Sequence, residues 1–293
     1  MIHHLTRLAF VGCLLTGTSA TAQTGPEIAY ASTAARGGQE VHLTNPDSTG
    51  RRLLYKAERG TEIHHIDIKP GGGELAIEEH KLTKSLKETP SVIRIIGYDA
   101  SGSLVGSIKT LTLSCRTGSL DYHANDGSLL FRDCSTPKRI RRLNTTTLAH
   151  SDLGLSHAAF IASWLDATRI LYYTYPTNSA DRKFWTVSTA NLAAPTAVLA
   201  YASPGSLDTS TAGDKGLWSF GTEGIGLLQT TPPQISSFQR QAGKGHFSPD
   251  DVSVAYIAGG PSNQFVLIRR LDGSGSTTTL VGAGTHTALN WRN

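Results

Sequence analysis

Gly243 to Leu280, GKGHFSPDDVSVAYIAGGPSNQFVLIRRLDGSGSTTTL, decides the fold. Ser248-Pro249-Asp250-Asp251 predicts a tight turn, because Pro249 presets φ at the second turn position and Asp tolerates the later ones. Val252, Val254 and Tyr256 then alternate with Ser253 and Ala255, the period of a strand. Gly259-Gly260-Pro261 ends it. Phe265 to Leu271 is a second strand closed by Asp272-Gly273, a hairpin signal. Thr277 to Val281 is a third, rich in β-branched residues that suit a pleated surface. A unit of three or four short strands cannot bury a face by itself, so the reading depends on whether it recurs.

It recurs. Runs of the VAYIA kind begin at Ile28 (IAYAS), Leu75 (LAIEE), Leu129 (LLFRD), Ile170 (ILYYT), Gly216 (GLWSF) and Val254 (VAYIA), at intervals of 47, 54, 41, 46 and 38 residues. Several strands per unit at a period near 45 residues is the signature of a propeller blade. Turn residues precede most of the runs: Lys69-Pro70-Gly71-Gly72, Asn125-Asp126-Gly127, Leu165-Asp166-Ala167 and Ser248-Pro249-Asp250.

The innermost strand of each blade should lie just before these turns. The candidates are Glu62 to Lys69, Ser119 to His123, Ala158 to Trp164, Ser206 to Thr211 and Gly243 to Ser248. Three strands at the start, Glu27 to Thr33, Gln39 to Asn45 and Arg51 to Ala57, lack an innermost partner, whereas His286 to Trp291 is a lone strand near the end. Pairing the two completes the first blade and removes an open edge. The expected fold is therefore all-β: a six-bladed β-propeller of four-stranded blades whose first blade is closed by the C-terminal strand. Pro232-Pro233 is expected to interrupt the fifth blade, and Gly221 to Gly226 to form a turn, since its glycine order does not suit a dinucleotide loop.

Residues 1–22 are expected to be a signal peptide, with Arg7 ahead of the apolar run Leu8 to Leu15 and a small-residue cleavage site at Ala20-Thr21-Ala22. Phe10-Val11-Gly12-Cys13 also weakly resembles a lipoprotein motif, but the apolar run before Cys13 is very short. The expected domain is 23–293, periplasmic or secreted, and no other stretch is long and apolar enough to span a bilayer. Removing Arg7 and no acid lowers the formal net charge from +4 to +3, a mild value. The one basic cluster, Lys138, Arg139, Arg141 and Arg142, lacks interleaved aromatics and reads as a solvated strand edge, not a nucleic-acid surface. Cys115 and Cys134 end strands of neighbouring units. In an oxidising compartment they could pair, and the sequence leaves the disulfide open.

The units IAYAS…QEVHLTNPDSTGRRLL…HIDIKPGGGELAIEE and FSPDDVSVAYIAG…FVLIRRLDGSGSTTTL resemble the TolB-type (WD40-like) propeller repeat: an aromatic-Ser-Pro-Asp-Gly turn, an apolar strand, a strand ending in Asp-Gly, and a strand ending near Leu-Thr. Phe247-Ser248-Pro249-Asp250 and Trp291 occupy its aromatic-turn positions. The resemblance implies a six-bladed propeller in the bacterial periplasm. TolB carries an α/β domain ahead of its propeller, whereas this chain enters its first blade within about five residues of the expected cleavage site. The resemblance is thus to the propeller part alone, and a role in the Tol–Pal machinery does not carry over.

No G-x-S-x-G elbow, H-E-x-x-H or P-loop is present. The histidines are the notable residues. His64, His65, His123, His157, His246 and His286 fall in or beside the innermost strands, which converge on one channel. His65, Asp67, Asp121, His123, His246 and His286 are the candidate channel ligand-binding residues. Two functions follow. One is a binding scaffold for a protein or cell-envelope ligand, without cofactor or catalysis. The other is a metal-dependent carbohydrate-active enzyme, since oligogalacturonate lyases that share this repeat type use channel histidines around a metal. Here His65, His246 and His286 would hold a divalent transition metal, for which imidazole is suited. Their depths along the strands differ by up to four residues, about 13 Å, which favours the scaffold. Glu78-Glu79-His80 and Arg269-Arg270 read as solvated strand faces.

Overall fold

Each of the six apolar runs becomes the second strand of a four-stranded antiparallel sheet. The computed structural model describes residues 25–34, 37–82, 90–114, 117–133, 139–174, 182–200, 205–219, 224–260 and 262–292. Residues 1–22, Cys115 and Cys134 lie outside them, and so do the signal-peptide and disulfide expectations.

In chain order the strands are β1 (Glu27–Thr33), β2 (Gln39–Thr44) and β3 (Arg52–Lys56); β4 (Thr61–Ile68), β5 (Glu74–Lys81), β6 (Ser91–Gly97) and β7 (Lys109–Leu113); and β8 (Leu120–Tyr122), β9 (Leu129–Asp133), β10 (Arg139–Leu143) and β11 (His150–Asp152). They continue with β12 (Ala159–Trp164), β13 (Arg169–Thr174), β14 (Lys183–Ser188) and β15 (Thr196–Ala200); β16 (Ser206–Thr209), β17 (Lys215–Ser219), β18 (Gly224–Thr230) and β19 (Pro233–Arg240); and β20 (Ala242–Phe247), β21 (Ser253–Gly260), β22 (Asn263–Arg270) and β23 (Thr277–Gly284), before β24 (His286–Arg292). Blades two to six each run in sequence order, and the first blade is β24-β1-β2-β3. The innermost strands β24, β4, β8, β12, β16 and β20 neighbour one another in a closed ring. No helix occurs among the described residues, so none is long and apolar enough to cross a membrane.

The second strands read as continuous apolar runs because both their faces are buried. Ile28 and Tyr30 pack against blade six, while Ala29 and Ala31 pack against blade two. The same alternation fills all six blade interfaces, with Phe131 between blades two and three, Tyr172 between three and four, Tyr173 and Trp218 between four and five, and Tyr256 between five and six. The Ser248 turn forms as expected, with Asp251 N–H donating to the Ser248 carbonyl at 2.9 Å and Asp251 at φ 57°.

Three local expectations change. Pro232-Pro233 does not interrupt blade five: Thr230 pairs with Pro233 across the β18–β19 hairpin, and a proline is tolerated there because β19 is an outer edge strand. Gly224 and Gly226 are not turn residues but lie within β18, where Gly226 lets the Trp218 indole lie on the backbone; a Cβ would come within 2.1 Å of that ring. Arg139, Arg141 and Arg142 do not form an edge. Strand β10 lies between β9 and β11, and these arginines pair with Asp152, Asp133 and Asp126.

The closure of blade one rests on the pairing of β24 with β1, from Glu27↔Arg292 to Ser32↔His286. A chain ending at Gly284 should lose cooperative unfolding and populate aggregates, read by circular dichroism melting and size-exclusion chromatography; a cooperative monomeric melt would show that the ring closes without this strand.

Candidate functional site

One residue near the end of each innermost strand reaches toward the axis: Asn290, Asp67, Asp121, Ser163, Asp208 and His246, each followed by an apolar or aromatic residue except Asp208, which precedes Thr209. Most of them bind the neighbouring blade. The Asn290 carboxamide oxygen accepts the Ile68 N–H at 3.0 Å, and Asp67 accepts the Tyr122 N–H. Asp121 accepts the Trp164 N–H at 2.5 Å, and Asp208 the Phe247 N–H at 2.8 Å. Between blades four and five the link runs through hydroxyls: Ser163 Oγ lies 3.2 Å from Thr209 Oγ1, which donates to the Trp164 carbonyl at 2.5 Å. Asn290 Nδ2 closes the circle, 3.3 Å from His246 Nδ1 and 2.6 Å from Asp67 Oδ1.

Arg292 sits at the centre of this belt. Its Nη2 donates to Asp121 at 2.8 Å and lies 3.7 Å from Asp208, and its Nε lies 3.7 Å from Asp67. Burial pushes the Asp67 carboxyl well up, against the pull of the guanidinium, and it pushes Asp121 up for the same reason. Burial also opposes ionisation of Asp208, but His246, Arg292 and the Phe247 N–H together hold it below the ordinary carboxylate range. The guanidinium is itself held protonated, its own burial outweighed by the three carboxylates. Removing such a cation leaves uncompensated buried charge, which costs far more than a surface pair.

Toward the start of the innermost strands the channel opens into a mouth. Its walls include His64, His65, Ser119, Ser206, Lys244 and His246. The space a water-sized sphere can enter there is only about 20 Å³, room for a single water. Four innermost strands carry a bulge near this level, leaving His64, Phe160, Lys244 and Thr287 as the extra residues. A bulge re-aims a side chain that regular pairing would send elsewhere. Lys244, at φ 49°, donates its ammonium to the carbonyls of His64 and Thr287. The opposite face is built from the turns between first and second strands, and these interlock: His123 Nε2 lies 3.0 Å from the Ala167 carbonyl, Arg169 donates to the Gly213 carbonyl at 3.3 Å, and the Asp251 carboxylate accepts the Thr211 and Ala212 N–H groups, both at 2.8 Å.

The sequence-derived residues therefore separate. Asp67, Asp121 and His246 belong to the axial belt. His65 lies at the mouth, its Nε2 3.7 Å from Glu78. His123 is a turn residue packed on Trp164 at 4.3 Å and paired with Asp126. His286 lies elsewhere, edge-on to Tyr30 with Nε2 3.2 Å from the Gly282 carbonyl. His65, His246 and His286 thus do not form the three-histidine metal set, since each imidazole is held by a different neighbour. Among the described residues, the three or more metal-ligating groups that do converge are Glu62, His64 and His80. Glu78, Glu79 and His80 are not a solvated face but buried, with Glu78 accepting the Thr117 N–H at 2.8 Å and Glu79 the Arg94 Nε–H at 2.6 Å. Arg270 is exposed and pairs with Asp272 as a solvated residue should, whereas Arg269 is half-buried and donates to the Phe238 carbonyl at 3.0 Å. Asp208, Asn290 and Arg292 were not legible individually; their signal is the repeated position near the end of each innermost strand.

The ring of six four-stranded blades, the first of them completed by the last strand, defines a six-bladed β-propeller. No family model matches the sequence, and no curated protein matches it. Among solved structures, the fold is similar to TolB from Acinetobacter baumannii, with a TM-score of 0.68 at 13% identity, covering 90% of this chain and 66% of that one. The chain therefore spans about two thirds of that protein's length. A chain of a nidogen/laminin complex gives 0.66 at 11% identity, covering 92% of this chain and 99% of its own. An oligogalacturonate lyase in complex with manganese gives 0.51 at 11% identity, covering 86% and 75%. At these identities the likeness is one of fold.

Replacing Arg292 by Met should destabilise the protein by about 3–5 kcal/mol at neutral pH, read by urea unfolding. Without the guanidinium, Asp67 and Asp121 hold their protons still more tightly in the folded state than in the unfolded one. The folded state then binds more protons, so stability falls as pH rises. The deficit of the variant against the parent should therefore be smaller at pH 5 than at pH 8. An equal deficit at both would mean that the carboxylates do not depend on this cation.

Proposed function

We propose that the chain is an exported binding scaffold, which engages a protein or cell-envelope ligand at the mouth face of the propeller. The observation that carries this is the polar mouth closed over a channel too narrow for more than a water. Both faces tie blade to blade, but the turn face does so through its outer turns, whereas at the mouth face Lys244 of blade six reaches over the channel to the carbonyls of His64 in blade two and Thr287 in blade one, leaving only a water-sized space beneath a polar rim. A plugged channel suits recognition across the rim better than entry of a long substrate. The likeness to TolB and to a chain from a nidogen/laminin complex is compatible with this role, though fold does not fix function. The enzyme alternative, which takes the manganese-containing lyase as its precedent, is less favoured because, among the described residues, His65, His246 and His286 do not converge as a ligand group.

A photo-crosslinker placed at Leu82, an exposed residue on the mouth side, should trap a discrete partner in envelope extracts, while one at Ser274, in an exposed turn on the other face, should not. Adducts from Ser274 alone, or from neither site, would overturn the reading. Export rests on residues 1–22. Intact mass of the protein recovered from the periplasm should correspond to a chain starting at Gln23. A mass retaining residues 1–22, or a lipid-modified Cys13, would refute the cleavage site.

A further inference from the structure

Glu62 and His80 face each other directly across β4 and β5. Two residues along β4, register shifts between Ile63 and His65, so His64 is the additional residue of a bulge. His64, two residues on from Glu62, shares its face by the ordinary strand period, and the bulge keeps the next residue, His65, near it. The His64 ring centroid stands 4.3 Å from that of His80, and His65 follows on the same flank, 6.2 Å from His64. Glu62 Oε2 is 3.3 Å from His64 Nε2 and 3.3 Å from His80 Nε2. The three ligand atoms all lie within 4.8 Å of one another.

We propose that Glu62, His64 and His80 form a binding site for a divalent transition-metal ion of the zinc class, opening on the mouth of the propeller. The distances match the chemistry. Ligands bound to zinc at 2.0–2.1 Å with tetrahedral angles stand about 3.3 Å from each other, which is the separation found here for both carboxylate–imidazole edges. The donor set of two imidazoles and one carboxylate suits zinc, copper or nickel in preference to magnesium or calcium. His80 Nε2 faces the Glu62 carboxylate at 3.3 Å, so it carries the proton while the site is empty and releases it when an ion takes its place between them. The Glu62, His64 and His80 side chains are 28%, 19% and 7% exposed, which leaves one flank open for a fourth ligand from water or from a docked molecule. His64 lines the mouth cavity, which gives the ion an entry path. This inference holds whether or not the scaffold reading does.

The test is equilibrium dialysis of the whole mature protein against Zn²⁺ followed by elemental analysis, with Co²⁺ absorption as a spectroscopic readout of the coordination. Wild-type protein should bind one ion per chain and develop the visible bands of a tetrahedral cobalt site. His80→Ala and Glu62→Gln should each weaken binding at least tenfold and abolish those bands, while His246→Ala and His286→Ala should bind as the parent does. If His80→Ala fails to fold, as judged by its melting curve, Glu62→Gln decides, because Glu62 is the most exposed of the three. No stoichiometric zinc in the parent, or undiminished zinc in Glu62→Gln, would overturn the proposal. Loss of zinc in His246→Ala with retention in Glu62→Gln would move the ion to the channel and equally overturn it.

Discussion

A carboxylate or amide on one innermost strand accepting a backbone N–H from the next is the interaction on which the ring depends. Apolar packing fills the gaps between blades, but packing is tolerant of sliding, and a sheet twisted against its neighbour could settle at more than one height. The hydrogen bonds from Ile68, Tyr122, Trp164 and Phe247 to Asn290, Asp67, Asp121 and Asp208 fix the height of each blade against the next. A second tier supports it further out: Glu27 accepts from Tyr98 at 2.8 Å, and Glu74 from Tyr122 at 3.2 Å and Thr145 at 2.9 Å, each reaching into the following blade. Bringing three aspartates to one axis is costly, and Arg292 makes it tenable. The belt and the cation are therefore one device, with one positive group neutralising what several interfaces need.

Much of the fold was legible because propeller blades bury both faces of their second strand. IAYAS, LLFRD and ILYYT could be recognised as equivalent without knowing what they touch, and the lone strand at His286 pointed to its place by the lack of any other. The site was less legible. Asp67 and Asp121 were found through their strands, but Asp208 was hidden in a weak unit, and Arg292 follows a residue that looks like the end of the last strand. Bulges have no sequence signature at His64 or Lys244, and a bulge reverses the parity from which the facing of β4 residues was inferred. Glu78-Glu79-His80 looked solvated because charged residues usually are. Here they are buried, because Arg94, His65 and Glu62 on adjoining strands answer them.

Blade two stands apart from the others in this respect. Strand β5 carries two glutamates and a histidine, Glu78, Glu79 and His80, all buried, just before its last residue. Its polar groups meet those of β4 on the side that leads to the mouth. The axial belt is inward-facing and satisfied, so it holds the ring. The β4–β5 group is peripheral and open on one flank, so it is available for chemistry with something outside. Structure and recognition are thus divided between two levels of the same strand, Asp67 at one end of β4 and Glu62 to His65 at the other.

The clasp of the first blade has a mechanical side. Strands β1 and β24 are antiparallel, so the outermost pair Glu27↔Arg292 lies beside both free ends of the described chain. Tension between those ends peels the ladder one rung at a time instead of shearing all rungs together. The first rung to part carries the axial guanidinium. A small displacement at the terminus would therefore uncover charge at the hub before it loosens any blade, and the ring fails from its axle outward.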